Sequence, residues 1–266
     1  LIDLKLRQYV SQAREVKNNK ETLKKLKLVT LDELYSLLIS NFGEIPQTFD
    51  FEYSNDEGYH SIKDLTPQRF YHEIIGDVLK DYISIINAPT SDKPFHKTFT
   101  VAYLGNVVGA KQIKYLNLPI NQLKQLVITQ LKADELVWFG SDVATYGDRT
   151  SGVWDDNSFD YEDVLEMNLQ MNKAAQLTYS QGAMNHAMVL SGVHLDDEKS
   201  KRWKIENSWG TKGGKDGYYI CSDTWFDKYV YQAVINKKHL SDNLLKEWEQ
   251  SPIVLKPWDP MGSLAD

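Results

Sequence analysis

Residues 186–193 and 203–207 are β-branched and aromatic enough to be strands, and Asp196-Asp197-Glu198-Lys199-Ser200 between them is turn-forming sequence. This pattern commits the chain to an antiparallel hairpin, and a hairpin alone is barely stable in water. Neighbours are available: residues 136–143, 218–221 and 229–235 read as further strands, and 82–86 and 98–103 as earlier ones. Residues 119–132 return to helical period through Leu123, Leu126, Val127 and Leu131. The first hundred residues are mostly helical in pattern. Thr30 and Glu33 are spaced as a capping box, Gly43 is placed to end that helix, and Thr66-Pro67 is a second start signal. The expected fold class is therefore α+β: a mostly antiparallel sheet or partial barrel over 96–250, after a helical region over 1–95. In the tail, 251–266, Pro252, Pro257 and Pro260 favour extended backbone and discourage a closing helix.

With 266 residues, 42% of them hydrophobic, the chain can bury a core. Its net charge of −7 argues against nonspecific nucleic-acid binding by the whole chain. The charge is uneven, however: residues 1–30 carry about +5 and the remainder about −12. A nucleic-acid site on that basic segment is the weaker expectation. A solvated helix face is the stronger one, with Leu1, Leu4, Leu23 and Leu26 forming an apolar side to bury. One cysteine cannot make an internal disulfide, and no apolar run approaches the ~18 residues of a membrane span, so a reducing, cytoplasmic setting is expected. The first residue, Leu1, falls inside helix-like sequence with no leader pattern, which reads as a cut through a longer protein.

The familiar cofactor signatures are absent. There is no HExxH, CxxC, Walker loop or dinucleotide glycine fingerprint. From Asp155 to Glu166 the acids match the ends of a calcium loop, but Phe159 takes a ligand position and Asp160 stands where the turn needs glycine. A solvated loop is expected there, with no metal and no cofactor.

The informative residues lie on the hairpin. A lone histidine at the head of an apolar strand is usually a core or capping group with a backbone partner. Here the turn brings Asn207 back toward His186, and the pair has a chemical use. An imidazole that takes a proton from a thiol needs its other nitrogen held by an acceptor, which sets tautomer and ring orientation. The amide oxygen of Asn207 can do this. Trp209 can lie over the bond and exclude water, or can simply pack in the core.

These segments, Asn185-His186-Ala187 and Asn207-Ser208-Trp209-Gly210, followed by Gly213-Gly214 and Gly217-Tyr218, resemble the papain-like cysteine peptidases. The run from Val137 through Val143, Met171-Asn172-Lys173-Ala174, and Pro257-Trp258-Asp259-Pro260-Met261-Gly262 are similar to the bleomycin hydrolase and aminopeptidase C branch. The resemblance implies a papain-like fold with a helical insertion near the N-terminus, and His186 as general base then acid, oriented by Asn207. It also implies a nucleophilic cysteine upstream of the histidine in a Gln…Cys-Trp motif.

No cysteine precedes His186, and Ser151-Gly152-Val153-Trp154 lies too near it to be a remnant of that motif. Cys221 follows His186 on a strand and reads as a packing residue. The thiol is thus expected from a missing N-terminal half of the same protein, and this chain alone is expected to be inactive. The branch further implies a cytoplasmic homohexamer acting on peptides with a free N-terminus, whose α-ammonium is captured by the C-terminal carboxylate. Ala265 or Asp266 would then be the substrate-binding anchor. The alternative is a noncatalytic member serving as an assembly or nucleic-acid-binding scaffold.

Overall fold

The computed structural model describes residues 1–105 and 107–265, excluding the side chains of 263–265. The chain divides into two compact units, Leu1–Gly76 and Asp77–Asp266.

The first unit opens with α1 (Ile2–Glu15) and α2 (Lys20–Phe42). Asn19, not Thr30, caps α2: its side chain accepts the Thr22 N–H at 3.0 Å. Thr30 lies mid-helix, where its hydroxyl donates back to Leu26 O at 3.0 Å, so the expected capping box does not form. Helical period already runs through 20–29, and the earlier Asn wins the cap. Gly43 does end the helix, at φ +80°. Leu23 and Leu26 are half-buried, whereas Leu1 and Leu4 are exposed.

The expectation of a mostly helical first hundred residues fails next. Phe49, Phe51 and Tyr53 alternate with polar residues at strand period, and β1 (Phe49–Asn55) pairs antiparallel with β2 (Gly58–Leu65). Thr66 caps α3 (Pro67–Phe70) by accepting the Arg69 N–H at 3.2 Å, and a π turn carries the chain to Ile75.

The second unit is built on one large sheet. Its strands are β3 (Tyr82–Ile86), β4 (Lys97–Val101), β5 (Tyr115–Asn117), β6 (Val137–Ser141), β7 (Gly147–Asp148), β8 (Val153–Trp154), β9 (His186–Asp196), β10 (Lys199–Glu206), β11 (Tyr218–Ser222), β12 (Val230–Asn236) and β13 (Ile253–Leu255). Between them lie α4 (Ile120–Lys132), α5 (Tyr161–Leu165), α6 (Lys173–Thr178), α7 (Asp223–Tyr229) and α8 (Asp242–Trp248). The spatial order is β13-β4-β5-β3-β12-β6-β9-β10-β11-β8-β7. Every pairing is antiparallel except β11 with β8, β13 with β4, and β3 with β5. The sheet does not close, since β13 and β7 remain its edges. Residues 77–95, grouped with the helical region on sequence grounds, contribute β3 to this sheet.

The hairpin forms as expected. Asp197 and Glu198 take φ +47° and +63°, the left-handed pair that a two-residue turn needs to match strand twist. Alternation then sets the core: Met188 and Leu190, Trp203 and Ile205, and Tyr219 and Cys221 all point one way, against Leu123 and Val127 of α4. Burying each such large side chain contributes about 1.5–3 kcal/mol. On the opposite face Trp138 is 67% exposed, and it shares a groove of about 320 Å³ with Ala187, Val189 and Asn207.

The tail corrects another expectation. Ile253–Leu255 is extended, as β13, but Pro260 opens a 3-10 turn through Ala265. Proline is well suited to a first helical position, where its missing N–H has no partner to lose. Asp259 is held by buried Lys93 at 2.8 Å, and Met261 O accepts the Tyr115 hydroxyl at 3.3 Å.

Candidate active site

His186 is the first residue of β9, set opposite Ser141 at the end of β6, and is half-buried at the rim of the core. Asn207 follows the last residue of β10, and its N–H donates to Gly217 O at 3.2 Å. That contact depends on the glycines. Gly217 sits at φ +86°, Gly214 at φ +60°, and a Cβ on Gly214 would lie 2.2 Å from Tyr218 O. The turn packs its backbone closer than any side chain allows.

The imidazole Nε2–H donates to Asn207 Oδ1 at 2.9 Å. The same oxygen accepts the Ser208 N–H at 2.8 Å, so two donors converge on it and fix which amide atom faces the histidine. Asn207 Nδ2 is buried and has no partner among the described residues. Because an amide oxygen only accepts, Nε2 must carry the proton, and a neutral His186 therefore holds its lone pair on Nδ1. Among the described residues no hydrogen bond engages Nδ1. Trp209 stacks on the imidazole with centroids 4.8 Å apart at 25°, and the Arg149 guanidinium lies over the same indole at 4.6 Å. The indole keeps water from one side of the His186 ring.

Before the histidine, Asn185 Nδ2 donates to Asp142 Oδ1 at 2.7 Å, and Asn185 Oδ1 accepts the Val143 N–H at 3.0 Å. Sequence reasoning passed over Asp142 and Arg149. An acid at the end of a predicted strand was the only signal for the first, and the second had none.

Cys221 is fully buried on β11, and burial pushes its thiol well above the usual range, so it stays neutral and inaccessible. Asp156, in the stretch whose ends match a calcium loop, instead receives Lys228 at 2.7 Å and the Thr224 hydroxyl at 2.5 Å. Among the described residues no cluster of His, Cys, Asp and Glu could hold a metal ion, and no helix is long and apolar enough to cross a membrane. Of the two tail residues singled out, Ala265 is described only as backbone at the end of the 3-10 turn, and Asp266 lies outside the described residues.

The model of the Peptidase C1-like family matches residues 1–262. Aminopeptidase C of Lactobacillus delbrueckii is 46% identical over 266 residues, covering 98% of this chain and 58% of that protein. Aminopeptidase C of Streptococcus thermophilus is 49% identical over 237 residues, 88% of this chain and 53% of the relative. Bleomycin hydrolase of Gallus gallus is 37% identical over 275 residues, all of this chain and 60% of the relative. The crystal structure of pepW from Lactobacillus rhamnosis superposes with a TM-score of 0.94 at 46% identity, over 98% of this chain and 60% of that one. The chain thus spans somewhat more than half the length of the relatives it matches. With its α+β papain-like architecture and this agreement along nearly its whole length, the chain belongs to the Peptidase C1-like family, in the branch of the aminopeptidases C and bleomycin hydrolase.

Proposed function

We propose that this chain supplies the general base and its orienting amide to a cysteine aminopeptidase, and that the nucleophilic thiol comes from a segment outside this sequence. The observation that carries this reading is the bond from His186 Nε2–H to Asn207 Oδ1, which leaves the Nδ1 lone pair without a hydrogen bond among the described residues. With a thiol beside it, Nδ1 takes the S–H proton, and the thiolate and imidazolium stabilise each other. The sulfur attacks the peptide carbonyl. The imidazolium returns its proton to the leaving amine as the C–N bond breaks, giving an acyl-enzyme. Neutral His186 then takes a proton from water, which attacks the thioester and releases the free acid and the thiol. Asn207 holds the ring through both half-reactions.

Two features support the missing-segment reading. Cys221 is buried on the strand and chemically sealed, and the exposed Trp138 face adjoins Asn207 in a groove that a docking segment would cover. Specificity for free amino termini is supported by the names of the relatives rather than by the tail, whose last residue is not described. Self-association is part of the same proposal, and exposed Leu4, Val10 and Leu31 on α1 and α2 support it; sedimentation of the purified enzyme reads it. The direct test is His186→Ala in enzyme carrying the thiol segment. Aminoacyl-amide hydrolysis should fall by about 10³-fold or more, and unchanged turnover would end the assignment.

A further inference from the structure

His186 is positioned from one residue upstream. Because Ser141 opposes His186 in the β6–β9 pairing, Asp142 leaves the sheet level with Asn185. Asp142 is only 4% exposed, and no lysine, arginine or histidine pairs with it among the described residues. A buried carboxylate in that situation persists only where N–H donors replace the lost water. Three do so. Oδ1 accepts Asn185 Nδ2–H at 2.7 Å and the Ala144 N–H at 3.0 Å, and Oδ2 accepts the Ala183 N–H at 3.3 Å. The Asn185 oxygen closes the ring by accepting the Val143 N–H at 3.0 Å. Asp142 is itself pinned through its own N–H to Tyr229 O at 2.9 Å.

All of these donors come from two stretches, 142–144 after β6 and 183–185 before β9, and the second leads straight into His186. The carboxylate therefore ties the approach to β9 to a strand end that is already fixed from its other side by β12. Upstream of His186 the β6–β9 pairing is continued by one backbone bond, Asn185 N–H to Ser141 O at 3.1 Å, and the side-chain tie adds to it the bonds from Asn185 Nδ2 and the Ala183 N–H to the carboxylate. We infer that Asp142 is a positioning residue for His186, acting through Asn185. The inference rests on His186 being the base of the proposed reaction, and it extends the site from the His186–Asn207 pair to a second pair behind it.

The test uses Asp142→Asn, Asn185→Ala and the double variant, in enzyme that includes the thiol-bearing segment. Asp142→Asn keeps size but turns an NH2 toward one of the N–H donors, and Asn185→Ala removes the link at an exposed residue that the core does not need. Each single variant should lower kcat by about 10- to 100-fold with little change in KM, as misplacement of a base does. The double variant should fall by less than the product of the two single losses, because the Asn185 Nδ2–H to Asp142 Oδ1 bond is common to both, while Asp142 has a separate hold on the Ala183 and Ala144 N–H groups. The His186 Nε2–H proton, held by Asn207, should exchange faster in both single variants when followed by NMR. Additive losses, or a change confined to KM, would overturn the inference. Should the parent enzyme show no peptidase activity, the function proposed above fails on its own, and the NMR measurement still decides this one: unchanged Nε2–H exchange in Asn185→Ala sinks it. Should Asp142→Asn not fold, the same Asn185→Ala readout stands.

Discussion

Lys173, on the first turn of α6, is buried and donates to Asn87 Oδ1 at 2.8 Å, Asp227 O at 3.1 Å and Val230 O at 2.5 Å. The three acceptors favour the ammonium, but none is a charge at contact, and burial outweighs them, bringing the pKa down to about 7. In the unfolded chain the same group keeps its ordinary value near 10.4. Between about pH 7 and 10 the unfolded state therefore binds the extra proton, so stability from this residue rises with pH across that window and is lowest below it. Lys173→Met should remove the dependence. The stability difference between parent and variant, followed by urea unfolding, should move in the parent's favour by up to about 1.4 kcal/mol per pH unit from pH 7 to 10. A flat difference would mean that the lysine stays charged on its three acceptors. His186 and Asn207 were legible in the sequence because local pattern and turn chemistry suffice to pair them. Asp142 was not, since its partners Ala183 and Asn185 lie about forty residues away and are assigned only once β6 and β9 are in register.

At the scale of elements, strands and the hairpin turn were readable where β-branched and apolar runs were clean, as in β3, β9 and β11, and α4 was readable from its helical period. The β1–β2 hairpin was missed although Phe49, Phe51 and Tyr53 alternate, because its flanks are rich in helix formers. Short pieces such as β5, β7 and β8 have no sequence signature, because pairing alone makes them strands. The glycine turn before β11 shows what the motif glycines do physically. Gly214→Ala would place its Cβ 2.2 Å from Tyr218 O at a φ of +60°, so the turn must open. The expected cost is about 2–3 kcal/mol, read by thermal or urea unfolding. The Asn207 N–H to Gly217 O contact should loosen with it, so activity should drop more than the loss of folded protein explains.

Across the whole molecule, the sheet buries one face under α4 and leaves part of the other open around Trp138. Trp138→Asp should change the melting temperature of this chain by no more than a few degrees, since the side chain is already 67% exposed. It should weaken recovery of activity with a separately supplied thiol-bearing segment by about tenfold or more, as removal of an aromatic anchor from an interface does. Equal recovery would place the docking surface elsewhere. The sealed sulfur of Cys221 has a practical consequence for counting. Where the thiol-bearing segment proposed above brings a single cysteine, a mild alkylating agent applied to the assembled enzyme should bind one equivalent per site, and the native chain alone should bind none. The ratio of label to protein then measures what fraction of a preparation has a complete catalytic centre, without a substrate.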